Sequence, residues 1–114
     1  MINDMNDMEL KEQNCTVLEK GTPPMDENQI KNYRKMLPTQ WQVVDNKVLR
    51  KEYVFDEYKR ELAFVQALGM VADKENHHPD MHAGYKKVVV EFTTHDVGGL
   101  SVNDFIMAAK ADEL

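Results

Sequence analysis

From Asp26 onward, apolar residues recur at helical spacing, then alternate, then return to helical spacing, and this cycle runs nearly twice. Asp26 is a suitable N-cap and Glu27 suits a first helical turn, while Ile30, Tyr33 and Leu37 fall on one face, so a helix is predicted up to Pro38. Trp41 to Asp45 reads as a short strand, Asp45-Asn46-Lys47 as a turn, and Val48 to Phe55 as a second strand. Leu49, Tyr53 and Phe55 share one face of that strand, with Lys51 as the exception. Asp56 is placed to cap a long helix ending at Asp73 or Lys74. Its broad apolar stripe takes in Tyr58, Leu62, Phe64, Val65, Leu68, Val71 and Ala72. The segment Glu75-Asn76-His77-His78-Pro79 is read as ending the helix, since Pro disfavours helix in the residue before it. Asp80 to Ala83 and Lys86 to Thr94 form a second strand pair around Gly84. After Gly98-Gly99, Ser101 and Asp104 have the spacing of a capping box, and Val102, Phe105, Ile106 and Ala109 share the apolar face of a last helix.

The order is α-β-β-α-β-β-α. Hairpins favour an antiparallel sheet and amphipathic helices need a face to lie on, so the expected fold is α+β, a single four-stranded antiparallel sheet with helices packed on one face. Residues 1–22 carry few apolar side chains and no clear period, and are expected to be a mobile or loosely attached arm. Residues 23–114 then form one domain, which the length of 114 residues accommodates once only.

Charge and cysteine content narrow the function. A net charge of −6 with no long basic run argues against nucleic acid and against a membrane surface. Cys15 is the single cysteine, so no disulfide closes within the chain, and a semi-exposed incidental thiol is expected there. The first residues lack the apolar stretch of a signal peptide, and a cytoplasmic protein is expected.

The candidate chemistry lies in the histidines. All four fall between His77 and His95. His77 and His78 leave the end of the long helix, and His95 follows the long strand beside the glycine pair. Imidazole exchanges protons near neutral pH, so two or three around one pocket supply an acid and a base together. Structural histidines at a helix C-terminus, where the dipole favours a cation, explain the cluster equally well. A metal site is the weaker reading, because no cysteine pair, HExxH helix or other ligand spacing accompanies the histidines. Ser101 suits a cap rather than a nucleophile, and Gly98-Gly99 lacks the surroundings of a phosphate loop.

The run Asp73-Lys74-Glu75-Asn76-His77-His78-Pro79-Asp80, followed by Tyr85, His95 and Asp104, resembles the signature of the pterin-4a-carbinolamine dehydratase family in order and spacing. Leu37, Trp41, Leu49, Phe55, Phe64 and the stretch from Gly98 to Leu114 extend the resemblance, which is to the bacterial type and covers roughly Pro24 to Leu114. The resemblance implies removal of water from 4a-hydroxytetrahydropterin to give quinonoid dihydropterin, in support of tetrahydrobiopterin recycling. It implies acid–base catalysis without cofactor or metal. His77, His78 and His95 are then the catalytic set, with His77 and His95 transferring protons and His78 orienting substrate. Asp73, Pro79, Asp80, Met81, Tyr85 and Asp104 bind substrate or support the site. Two departures stand out: Met81 replaces the tryptophan of animal members, removing an aromatic face, and Asp73 replaces a longer glutamate. The implied partners are a pterin substrate, further copies of the chain in a homodimer or homotetramer, and a pterin-dependent aromatic amino acid hydroxylase upstream. Two other roles go with the family, a molybdopterin-linked step and a dimerisation-cofactor function for a transcription factor.

Overall fold

A computed structural model describes residues 8–114. Helix α1 spans Glu27–Arg34, followed by strands β1 (Gln42–Val44) and β2 (Val48–Val54), helix α2 (Tyr58–Glu75), strands β3 (Asp80–Gly84) and β4 (Lys87–Phe92), and helix α3 (Val102–Ala111). The strands make one sheet in the order β1-β2-β4-β3, antiparallel throughout. Element order and architecture are those expected from the sequence.

Register decides which face is buried. Leu49 stands opposite Phe92, Lys51 opposite Val90, and Tyr53 opposite Val88. Leu49, Val88, Val90 and Phe92 are fully buried on this inner face, where α2 and α3 pack. The outer face carries Arg50, Glu91 and His82, with Glu91 paired to both of the others at 3.5 and 3.6 Å. Asp45 and Asn46 both adopt positive φ, 52° and 57°, the geometry of a type I′ hairpin turn whose twist matches the strands it joins.

Lys51 breaks the apolar alternation of β2 because it has a partner. Its ammonium lies 2.8 Å from Asp112, the C-cap of α3. The same carboxylate accepts from Tyr53 Oη at 2.5 Å, Thr39 Oγ1 at 2.7 Å and Trp41 Nε1 at 3.1 Å. Burial by itself would raise the Asp112 pKa, but these hydrogen bonds outweigh it and hold the carboxyl below its usual value. The same arrangement pushes the Tyr53 phenol well up, through burial first and the neighbouring carboxylate second. One side chain thereby ties the end of α3 to the sheet and to the loop before β1.

Several element ends differ from the sequence expectation. Asp26 caps α1 through a full capping box with Gln29, yet the helix closes at Arg34, and Leu37 reaches the core from a following turn. Asp56 does not cap α2; Glu57 holds the N-cap position without a side-chain bond. Helix α2 runs on to Glu75, just past the expected Asp73 or Lys74, and is stopped by Asn76, in the left-handed region at φ 55° and within the segment expected to end it. Part of the α2 stripe faces outward: Phe64, Leu68 and Ala72 are buried and Val65 and Val71 pack against the core, while Tyr58 and Leu62 are exposed. Helix α3 is buried nearly all round, a consequence of lying between the sheet and the chain's first segments.

Part of the described segment before Pro23 packs on the domain. A short 3-10 turn, Leu10–Glu12, packs on α3 and buries Leu10 in the core. One apolar side chain in a polar stretch gives no period, which is why the sequence pattern missed it. The first seven residues of the expected arm lie outside the described residues.

Candidate active site

Helix α2 delivers His77. The Asn76 N–H bonds back to Ala72 and Asp73, and the His77 N–H donates to the Ala72 carbonyl at 3.1 Å, closing the helix in the manner of a Schellman motif. Asparagine tolerates this left-handed position better than most residues. The backbone of His77 is therefore fixed at the helix terminus.

A second loop delivers its partner. Thr94 N–H donates to the Gly99 carbonyl at 2.9 Å, closing a turn that contains a 3-10 segment, His95–Val97. Gly98 ends that segment at φ 74°, and a Cβ on Gly99 would stand 3.0 Å from the Pro24 side chain, so both glycines serve the tight closure. The turn brings Thr94 Oγ1 to 2.8 Å from Ser101 Oγ, at the cap of α3.

Asp104 is where the two meet. Its side chain is 0% exposed. Oδ2 accepts from the Ser101 N–H at 2.9 Å and from the Thr94 hydroxyl at 2.7 Å, which leaves Oδ1 for His77 Nε2 at 2.6 Å. The His77 ring is 13% exposed and stacks nearly parallel to Phe92, at 14° with centroids 6.4 Å apart. A carboxylate that receives Nε2–H fixes the tautomer and leaves Nδ1 as the proton acceptor. A cleft of about 300 Å³ opens beside the pair, lined by Cys15 to Leu18, by Glu75 to His77, and by Thr94, Asp96 and Asn103. That volume is at the low end for small-molecule sites, on the order of 300–1,000 Å³.

The other expected residues are spread more widely. His78 is exposed, its Nε2 3.4 Å from the exposed carboxylate of Asp73. His95 is exposed on the 3-10 segment directly after Thr94, and neither it nor His78 lines the cleft. Pro79 is half-buried between the helix end and β3, and Asp80 is exposed at the start of that strand. Met81 packs against the core from the inner sheet face, opposite Val90. Tyr85 lies in the turn at the far end of β3, exposed, with its ring 5.6 Å from that of Tyr58. Among the described residues no group of three or more His, Cys, Asp or Glu side chains is arranged to hold a metal ion.

Thr94, Glu75, Asn103 and Cys15 were not singled out for the site by sequence. The roles of Glu75, Asn103 and Cys15 come from contacts between segments far apart in the chain, and that of Thr94 from an irregular turn, and neither leaves a local pattern. The Cys15 thiol is pushed up to about 12, by burial first and the Glu75 carboxylate second, so it stays protonated at neutral pH and is a poor nucleophile.

Comparison with known proteins agrees with this architecture. Residues 23–114 match the family model described as pterin 4 alpha carbinolamine dehydratase. A relative from Nitrosomonas eutropha, provisionally named pterin-4-alpha-carbinolamine dehydratase, is 44% identical over 109 residues, covering 96% of both chains. A relative from Chromobacterium violaceum with the same provisional name is 46% identical, covering 94% of this chain and 96% of its own. A crystal structure of a transcriptional coactivator/pterin dehydratase from Brucella melitensis superposes with a TM-score of 0.73 at 26% identity, covering 78% of this chain and 95% of that one. With a family match over residues 23–114 and relatives alike over nearly their whole length, the chain belongs to the pterin-4a-carbinolamine dehydratase family.

Proposed function

We propose that this chain dehydrates 4a-hydroxytetrahydropterin to quinonoid dihydropterin, with His77 as the principal proton-transfer group. The observation that carries the reading is the 2.6 Å pair between His77 Nε2 and buried Asp104, beside a cleft of small-molecule size. In the reaction the C4a–O bond breaks, the departing hydroxyl takes up a proton and leaves as water, and N5–H gives up a proton. One proton is supplied and one removed, so an acid and a base suffice. Imidazole suits both tasks near neutral pH. The family resemblance assigns the second transfer to His95 and orientation of the substrate to His78; both stand beside the cleft rather than in it, His95 between the lining residues Thr94 and Asp96 and His78 next to His77. Asp104 holds the His77 tautomer and stabilises the imidazolium when it forms. The His95 backbone is positioned by the same turn that places Thr94 against Asp104.

In this reading the chain supports tetrahydrobiopterin recycling in the cytoplasm, after a pterin-dependent hydroxylase. It works as a homodimer or homotetramer, a state favoured by the outward apolar residues Tyr58 and Leu62 on α2 and by the unpaired edges of β1 and β3. No described helix is long and apolar enough to cross a membrane. A second reading, a binding role in transcription, draws on the likeness to the Brucella melitensis protein, whose name couples transcriptional coactivator to pterin dehydratase.

The test is to generate the 4a-hydroxy substrate with an aromatic amino acid hydroxylase and follow quinonoid product with and without the purified chain. Product formation faster than the spontaneous rate, and slowed in His78→Ala and His95→Ala variants, is expected. A rate equal to the spontaneous one contradicts the reading and leaves the binding role.

A further inference from the structure

The His77 cleft has a wall that the acid–base reading leaves unused. After the 3-10 turn that buries Leu10, the chain crosses the junction of α2 and α3 as an extended strap, Cys15 to Leu18. Two buried polar side chains hold its backbone. Glu75, 6% exposed, accepts from the Cys15 N–H at 2.8 Å. Asn103, 5% exposed, accepts from the Thr16 N–H at 3.1 Å through Oδ1 and donates to the Thr16 carbonyl at 2.8 Å through Nδ2. The amide of Asn103 thus pairs with Thr16 as a neighbouring strand would. Buried polar groups that lose their partners are costly, so these bonds hold the strap in place.

The placement of these two anchors matters more than their strength. Glu75 precedes His77 by two residues on the same helix end, and Asn103 precedes Asp104 on the first turn of α3. The strap is therefore tied to the two helix ends that carry His77 and Asp104, through residues one or two positions before each. Between its tied residues and the glycine turn at Gly21 it presents Val17, 95% exposed yet lining the cleft. An apolar side chain on an anchored backbone at the rim of a polar cleft is suited to contact the part of a ligand that projects outward.

We propose that the strap Cys15–Leu18 is the specificity wall of the cleft, with Val17 contacting the C6 substituent of the bound pterin and Asn103 and Glu75 acting as positioning residues for the strap. The inference rests on the reading of this cleft as the pterin site.

The test compares wild type, Val17→Asp, Asn103→Ala and Asn103→Asp. Each is assayed for dehydration of two 4a-hydroxytetrahydropterins, one with a methyl and one with a longer hydroxylated substituent at C6. Equilibrium binding of the two corresponding 7,8-dihydropterins is measured alongside. Val17→Asp is expected to raise KM and Kd about fivefold or more for the longer substituent, with kcat kept within about twofold. Its melting temperature is expected to stay at the wild-type value, because Val17 is almost fully exposed. Asn103→Ala is expected to reproduce the KM effect, and Asn103→Asp, which keeps the acceptor for Thr16, to recover part of it. Unchanged KM and Kd in Val17→Asp for both substituents overturn the proposal, even if Asn103→Ala fails to fold. If wild type does not catalyse dehydration, the functional reading fails, and dihydropterin binding alone decides the strap: weakened in Val17→Asp it stands, unchanged or absent in wild type it falls.

Discussion

The imidazole of His77 owes its position to a carboxylate that is shut off from solvent and held by two further donors. Asp104 serves as the capping-box residue of α3, accepts the Thr94 hydroxyl and holds His77, with its side chain fully buried. Asp104→Asn keeps the shape but puts an amide where either His77 or the Ser101 and Thr94 donors need an acceptor. The expected outcome is a loss of at least about tenfold in the dehydration rate, with the fold retained by circular dichroism. An unchanged rate contradicts the role given to the pair. Sequence reasoning reached His77 and Asp104 because a helix terminus and a capping box leave local marks. It did not reach Asn103 or Glu75, whose partners lie 87 and 60 residues away, nor Thr94, which meets Ser101 and Asp104 across an irregular turn that no period marks. Glu61 makes a contrasting case: it is fully buried on α2, and neither carboxylate oxygen has a hydrogen-bond partner among the described residues. Replacing an orphaned buried polar group by an apolar one of similar volume removes its desolvation cost, so Glu61→Met is expected to stabilise the chain by about 1–3 kcal/mol. A urea midpoint below that of wild type would count against this.

At the level of elements, α3 is fastened at both ends, by Asp104 at its start and Asp112 at its close. The Asp112 side chain is 1% exposed and that of Lys51 17%, so removing the carboxylate strands a largely buried ammonium. Asp112→Ala is expected to cost roughly 3–5 kcal/mol in denaturant unfolding. The lowered Asp112 pKa also sets a pH window. An unfolded aspartate titrates near about 3.9, and the folded one below it, so between the two values the unfolded state binds more protons. The stability this group contributes is present above pH of about 4 and is lost as pH falls through the folded pKa. Asp112→Asn is expected to flatten that part of the acid-unfolding profile; a slope equal to wild type contradicts the assignment. Helix ends were the least legible feature in the sequence. The segment from Glu75 to Pro79 was legible as the end of α2, but nothing in it marked Asn76 as the residue that takes the left-handed conformation and closes the helix. Asp56 had the right chemistry for a cap, yet the chain enters the helix at Glu57.

For the whole molecule, the two hairpins and the layer of helices were readable because strand alternation and helical period each repeat over several turns or residues. Lys51 within β2 was visible as an exception, and only the folded chain supplies its partner. The outward residues of the α2 stripe could not be separated from the inward ones by period alone, because apolar residues cover both faces. Tyr58 and Leu62 there are exposed, and burying them against another copy is the expected use of that face. Leu62→Lys is expected to lower the mass seen by sedimentation while leaving the far-ultraviolet spectrum unchanged. A variant that sediments like wild type rules out that face as the contact. The docking of Leu10 was illegible for a related reason: one buried side chain in a polar stretch has no periodicity to announce it.

The central claim, that a carboxylate-held imidazole at the end of α2 transfers the proton in pterin dehydration, is tested most directly by His77→Ala. The measurement is the rate of quinonoid dihydropterin formation from preformed 4a-hydroxytetrahydropterin, with dihydropterin binding followed in parallel. The expected result is a fall in kcat of about a hundredfold or more while binding weakens far less. A variant that dehydrates its substrate as fast as wild type would place the chemistry elsewhere in the molecule and contradict the account.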